Sequence, residues 1–203
     1  MPGKANAEAQ QAYLEEYKNM LKTKGKNDQH YFLDGVHPQH NTMPAYGWVR
    51  KGKDKVIKAN TGRERMNING ALNGESLEVV KRTDQTINAQ STIELFKQLE
   101  NKHPLAENIY ITLDNAGYYR SKLVNEYLKT SKIKLMFLPP YSPNLNLIER
   151  LWKFMKKKVL YNKYYEKFSS FEDAVNGFFD NFAYYDIELR SLLTQNFQII
   201  NAA

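Results

Sequence analysis

Leu138-Pro139-Pro140-Tyr141-Ser142-Pro143-Asn144-Leu145-Asn146-Leu147-Ile148-Glu149-Arg150-Leu151-Trp152 is the stretch on which the reading of this chain turns. It opens with a proline block that suits neither a helix interior nor a central strand, because each proline removes a backbone donor and restricts the residue before it. From there Leu145, Ile148, Trp152, Met155 and Val159 step by three and four, which predicts a long amphipathic helix beginning between Pro143 and Asn146. Glu149 falls in its first turn, where a carboxylate meets the positive end of the helix dipole. Taken alone, that meeting is explanation enough for the residue.

Outward toward the N-terminus, residues 135–138 read as a core strand and Ile109-Tyr110-Ile111-Thr112-Leu113-Asp114 as another, with a helix around Leu123, Val124, Tyr127 and Leu128 between them. Strand, helix and strand of these lengths fit a parallel crossover. Farther back, Tyr31-Phe32-Leu33-Asp34 is a third apolar run closing on an aspartate. Each aspartate singly is explained as the first residue of a loop. If their strands are parallel neighbours, however, Asp34 and Asp114 converge at one sheet edge, where ligands of open α/β sheets bind, and the helix delivers Glu149 beside them. Such a cluster resists joint ionisation unless a hard, oxygen-seeking cation such as Mg²⁺ or Mn²⁺ relieves it. None of the 203 residues is a cysteine, so disulfides, thiolate zinc sites and thiol nucleophiles are excluded.

The flanking sequence is less specific. Helical spacing predicts helices over residues 6–22 and 89–101, and short strands over 46–50, 66–72 and 77–81 are joined by turns such as Asn73-Gly74 into a meander. The aromatic-rich residues 161–200 read as a helical appendage, with Trp48 and Trp152 assigned to the core. The expected organisation is an N-terminal helix and linker over 1–28, an α/β catalytic domain over 29–160 and a helical extension over 161–203. No apolar run approaches the roughly 18 residues of a membrane span, and the expectation is a soluble cytoplasmic protein, nucleoid-associated when acting on DNA.

A formal net charge of +7 favours polyanionic partners. Lys153, Lys156 and Lys157 follow Glu149 along its side of the helix and, with Arg150, read either as a solvated face or as a track for a phosphate backbone. Asn115 is placed to orient a carboxylate or a water beside Asp114. His37 and His40 sit in a proline-flanked loop where local hydrogen bonds explain them as well as a ligand role does.

Three strings, Tyr31-Phe32-Leu33-Asp34, Leu113-Asp114-Asn115-Ala116 and the long block ending at Trp152, resemble the catalytic blocks of mariner-type DDE transposases, in particular of their bacterial insertion-sequence relatives. Glu149 follows Asp114 by 35 positions, a spacing similar to that group's. The resemblance implies a ribonuclease-H-like mixed sheet flanked by helices, with Asp34, Asp114 and Glu149 holding two Mg²⁺ or Mn²⁺ ions. It implies phosphodiester hydrolysis and transesterification on double-stranded DNA, at transposon ends and target, with a homodimer as the expected assembly. Two positions depart from the pattern: Tyr119 stands where many relatives carry histidine, and Leu147 where many carry proline. Relatives begin with helix-turn-helix modules, so a separate or missing DNA-reading part is expected, the chain being a split-frame product, a decayed copy or an excised domain. A stand-alone metal nuclease and a catalytically silent binding remnant are the alternative readings.

Overall fold

The computed structural model describes residues 5–54 and 56–200. Its centre is β1 (Gln29–Val36), a strand in which Tyr31, Phe32 and Leu33 are all fully buried. Uninterrupted burial requires cover on both faces, and the sheet order β3-β2-β1-β4-β5 puts β1 in the middle. It runs antiparallel to β2 (Ile68–Asn73), which pairs antiparallel with β3 (Val79–Thr83), and parallel to β4 (Ile109–Leu113), which pairs parallel with β5 (Ile133–Phe137). The predicted mixed sheet flanked by helices is therefore what forms.

Strand alternation divides the core in two. Phe32, Ile68 and Leu72 pack in one cluster with α1 (Ala7–Thr23), α4 (Leu147–Val159) and α5 (Phe168–Asp180). Tyr31 and Leu33 point the other way, into a cluster with α2 (Ala89–Lys102) and α3 (Lys122–Leu128). Asp34 shares the parity of Phe32 and so belongs to the α4 side. The parallel strands are aligned at their entry by Asp28, which accepts hydrogen bonds from the backbone of Asn108 at 2.8 Å, Gly25 at 3.0 Å and Glu107 at 3.1 Å. Burial alone would raise its pKa, but the bonds from Asn108, Gly25 and Glu107 prevail and hold it below the ordinary value.

The helical C-terminal segment is part of the main core. Phe171, Val175 and Phe178 of α5, and Leu189 of α6 (Asp186–Leu192), pack in the cluster that contains Trp152 and Met155. The tail then crosses back over the domain: Arg150 donates to the Thr194 carbonyl at 2.7 Å, and the Gln10 amide exchanges bonds of 2.9 and 3.1 Å with the backbone of Ile200. Among the described residues no helix is long and apolar enough to cross a membrane.

The strand expected over residues 46–50 does not form, and Trp48, expected in the core, is fully exposed, as is Tyr46. An alternating apolar segment becomes a strand only where a neighbour supplies ladder partners. In the excursion between β1 and β2, pairing among the described residues is limited to the isolated bridges Gln39–Arg65 and Met43–Tyr161. The third predicted strand starts late, at Val79, because Leu77 adopts φ 61° in the preceding turn.

Candidate metal centre

The parallel register delivers two of the three carboxylates. Its last pair is Phe32–Thr112, and two residues beyond it along the respective chains stand Asp34 and Asp114. They are not equivalent. Asp114 lies just past the end of β4, exposed, with its Oδ1 accepting from the Ala116 N–H at 3.0 Å, a local turn of the kind aspartate makes. Asp34 was expected at a strand end but sits inside β1, which continues to Val36 because β2 still pairs with it, Asp34 opposite Gly70.

The third carboxylate arrives on α4. Leu138 extends the β4–β5 pairing by donating to the Leu113 carbonyl at 2.9 Å, and the proline block then turns the chain into α4, with Glu149 in its first turn. Within that block Tyr141 has φ 58°, the left-handed region that non-glycine residues seldom enter. The result is a cavity of about 500 Å³ whose lining includes Asp34, Asp114, Asn115, Tyr141, Asn146 and Glu149.

One turn along α4 from Glu149, Trp152 is 2% exposed. The indole lies flat against Gly70, the cross-strand partner of Asp34: a Cβ at that glycine would meet Trp152 Cη2 at 2.6 Å and Cζ2 at 2.8 Å. Glycine is therefore required there by close approach.

Burial raises the Asp34 carboxyl to about 7, and the charges of Glu149 and then Asp114 push in the same direction. The Trp152 N–H is near enough to oppose the rise, yet it makes no hydrogen bond of normal geometry. A carboxyl with a raised folded-state pKa binds its proton more tightly than in the unfolded chain, whose ordinary value is 3.8. Its contribution to stability is complete below about pH 4 and disappears as pH rises through about 7. In chelator, urea unfolding should accordingly show a loss on the order of 3 kcal/mol between pH 4 and 8 from this group, absent in Asp34→Asn. A pH slope unchanged by that substitution would reject the assignment.

Among the described residues, no three acidic or imidazole groups form a closed metal cage as the side chains stand. The donor set nonetheless fits a hard divalent cation: three carboxylates share the cavity, and every donor atom they offer is oxygen.

The remaining candidates divide by what they touch. Lys153 and Lys157 are exposed and Lys156 is half-buried, and among the described residues none of the three makes an ion pair. Arg150 differs, since its guanidinium is engaged with carbonyls of the C-terminal tail. Asn115 lines the cavity, but its amide donates to the Leu138 carbonyl at 2.6 Å and its oxygen accepts from Arg120 at 2.7 Å, so it fastens two loops. His37 bonds Asn67 and His40 bonds the Tyr165 carbonyl, contacts 30 and 125 positions away along the chain, so both histidines tie distant segments together instead of making local bonds. Tyr119 is buried in the α2–α3 cluster against Tyr118, so that position serves packing. Asn146 was missed: an asparagine before a helix reads as an ordinary cap, and nothing in the string distinguishes it.

A family model described as DDE superfamily endonuclease matches residues 29–172. The IS630 insertion element 39 kDa protein of Shigella sonnei is 25% identical over 133 residues, which is 65% of this chain and 39% of that protein. Protein y4pE/y4sA of Sinorhizobium fredii is 41% identical over 66 residues, covering 32% of this chain and 44% of its own length. The chain thus spans less than half the length of either relative. Among solved structures, the Mos1 transposase paired-end complex with left transposon end superimposes with a TM-score of 0.66 at 19% identity, over 89% of this chain and 57% of that one. The catalytic domain of Mos1 mariner transposase gives 0.61 at 16% identity, over 92% and 88%. At these identities the structural likeness establishes a shared fold.

Proposed function

The chain belongs to the DDE superfamily endonucleases, and from that premise we propose that it is the catalytic core of an insertion-sequence transposase, cutting and joining DNA at the cavity between β1, β4 and α4. The observation that carries the proposal is the meeting of Asp34, Asp114 and Glu149 in one cavity from three separate elements. These carboxylates would hold Mg²⁺ or Mn²⁺, as in the Mos1 complexes determined with Mg and with Mn. Two such ions supply nucleophile activation and leaving-oxygen stabilisation in phosphodiester displacement.

The chain's own residues do the rest. Because burial and then the charges of Glu149 and Asp114 raise the Asp34 carboxyl to about 7, a proton would compete with a cation for it near neutrality. Lys153, Lys156 and Lys157 continue from Glu149 along α4 as a track for the phosphate backbone, contributing affinity without sequence readout. Arg150 serves the tail. In the proposed reaction water displaces a 3′ oxygen at the element end, and the freed 3′ hydroxyl then displaces another in target DNA. Residues 29–160 form the catalytic unit, with 5–28 and 161–200 bracing it. End recognition belongs to a helix-turn-helix part outside these residues, a homodimer joins the two ends, and the work is done at the nucleoid.

The test is nicking of supercoiled plasmid by the purified chain with Mn²⁺ at low salt. Activity should require metal and should track weak, non-specific DNA binding. If the three lysines each neutralise one phosphate, affinity should fall about 40-fold between 50 and 200 mM salt. Replacing all three by glutamine should remove most of that dependence. Nicking that persists in excess chelator would refute the proposal.

A further inference from the structure

Asn146 occupies the N-cap position of α4, where an asparagine side chain ordinarily accepts a hydrogen bond from the N–H of the second or third helical residue. It makes no such bond. Its Nδ2 donates instead to the backbone carbonyl of Leu33 at 3.2 Å, in a buried contact between residues 113 positions apart. The residue is 3% exposed, its Oδ1 has no partner, and it lines the cavity of the three carboxylates.

The orientation of this amide is determined by its acceptor. Leu33 offers a carbonyl oxygen, so only the NH₂ end can face it, and Oδ1 is directed away. Registered pairing of β1 with β4 ends at Phe32–Thr112, so the bonded carbonyl lies one residue past that point and one residue before Asp34. At its other end Asn146 immediately precedes the helical turn that holds Glu149. One side chain therefore bridges the strand of Asp34 and the helix of Glu149, at the place where the sheet opens.

A buried amide oxygen without a partner is costly, and this side chain accepts that cost and forgoes its cap while tying the strand of Asp34 to the helix of Glu149. We propose that Asn146 is a positioning residue of the metal centre. Its NH₂ end, bonded to the Leu33 carbonyl, fixes the spacing of Asp34 and Glu149 and so the geometry in which the carboxylates would hold a divalent ion. This rests on the metal-site reading above and adds a group that carries no charge.

The experiment is Mn²⁺ binding to the full chain without DNA, followed by electron paramagnetic resonance, for wild type, Asn146→Ala and Asp114→Asn. Groups that orient ligands from the outer shell typically contribute 10- to 100-fold to metal affinity, so Asn146→Ala should weaken Mn²⁺ about tenfold or more. A purely structural role would lower the metal-free unfolding temperature and leave the affinity of the folded fraction unchanged. In case the variant folds poorly, wild type supplies a second readout: the Asn146 side-chain NH₂ resonances should shift during Mg²⁺ titration, with the midpoint of the carboxylate site. Wild-type affinity in Asn146→Ala with affinity lost in Asp114→Asn, or unmoved NH₂ resonances, would overturn the inference alone. Undiminished binding by Asp114→Asn would overturn the metal-site reading and the inference together.

Discussion

Asp114→Asn should lower metal-dependent DNA cleavage by at least about a thousandfold, and Asp34→Asn and Glu149→Gln should do the same. Each substitution keeps side-chain volume and removes one anionic oxygen from a site whose metal affinity depends on charge. A loss of roughly 4 kcal/mol in transition-state stabilisation corresponds to that factor. The fold should be nearly indifferent. Asp34→Asn even removes the cost of ionising a carboxyl raised by burial and then by the neighbouring charges, so the metal-free variant should unfold later than wild type at pH 8. Because one incomplete site already disables a shared reaction, double variants should be no worse than single ones. Steady-state cleavage measured beside thermal unfolding decides the matter, and cleavage that survives Asp114→Asn would sink the assignment.

The largest expected effect on stability lies one turn along α4 from Glu149. Trp152 is 2% exposed, packs against Gly70 and meets the Phe179 ring at a centroid distance of 6.3 Å. Trp152→Ala should cost about 3–5 kcal/mol and lower the unfolding temperature by roughly 10 °C or more. Gly70→Ala should be destabilising for the opposite reason, since the new methyl would stand 2.6 Å from the indole between sheet and helix. The two changes should be strongly coupled. With the indole gone, the methyl has room, so Gly70→Ala should be nearly neutral in the Trp152→Ala background. Equal costs of Gly70→Ala in both backgrounds, measured by urea unfolding, would show that contact with Trp152 is not what requires glycine there.

What could be read in advance follows from which interactions are local. α4 was legible because its apolar period, proline entry and early glutamate all lie within one string. The parallel unit of β4, α3 and β5 was legible from its lengths, whereas the meeting of Asp34 and Asp114 could be read only on the condition that β1 and β4 are parallel neighbours, since a parallel register carries equivalent positions to the same edge. The position of Asp34 inside β1 depends on β2, a strand some thirty residues away that keeps pairing after β4 has stopped. Residues 46–50 failed as a strand for the converse reason: the alternation was present and the neighbour was not. Arg150 illustrates the same limit, because its partners, the carbonyls of 192–196, are brought to it only by the return of the C-terminal tail. Asn146 was invisible because its distinguishing act is a bond declined locally and made 113 residues away.

The two tryptophans of the chain ended in opposite surroundings, Trp48 fully in solvent and Trp152 buried in the core. Their light emission is therefore separable. Iodide in solution reaches the first indole and not the second, so quenching the outer signal leaves a residual fluorescence that reports on the packing of α4 against β2. The protein thus contains an intrinsic optical gauge of that packing, with no dye attached and no residue changed.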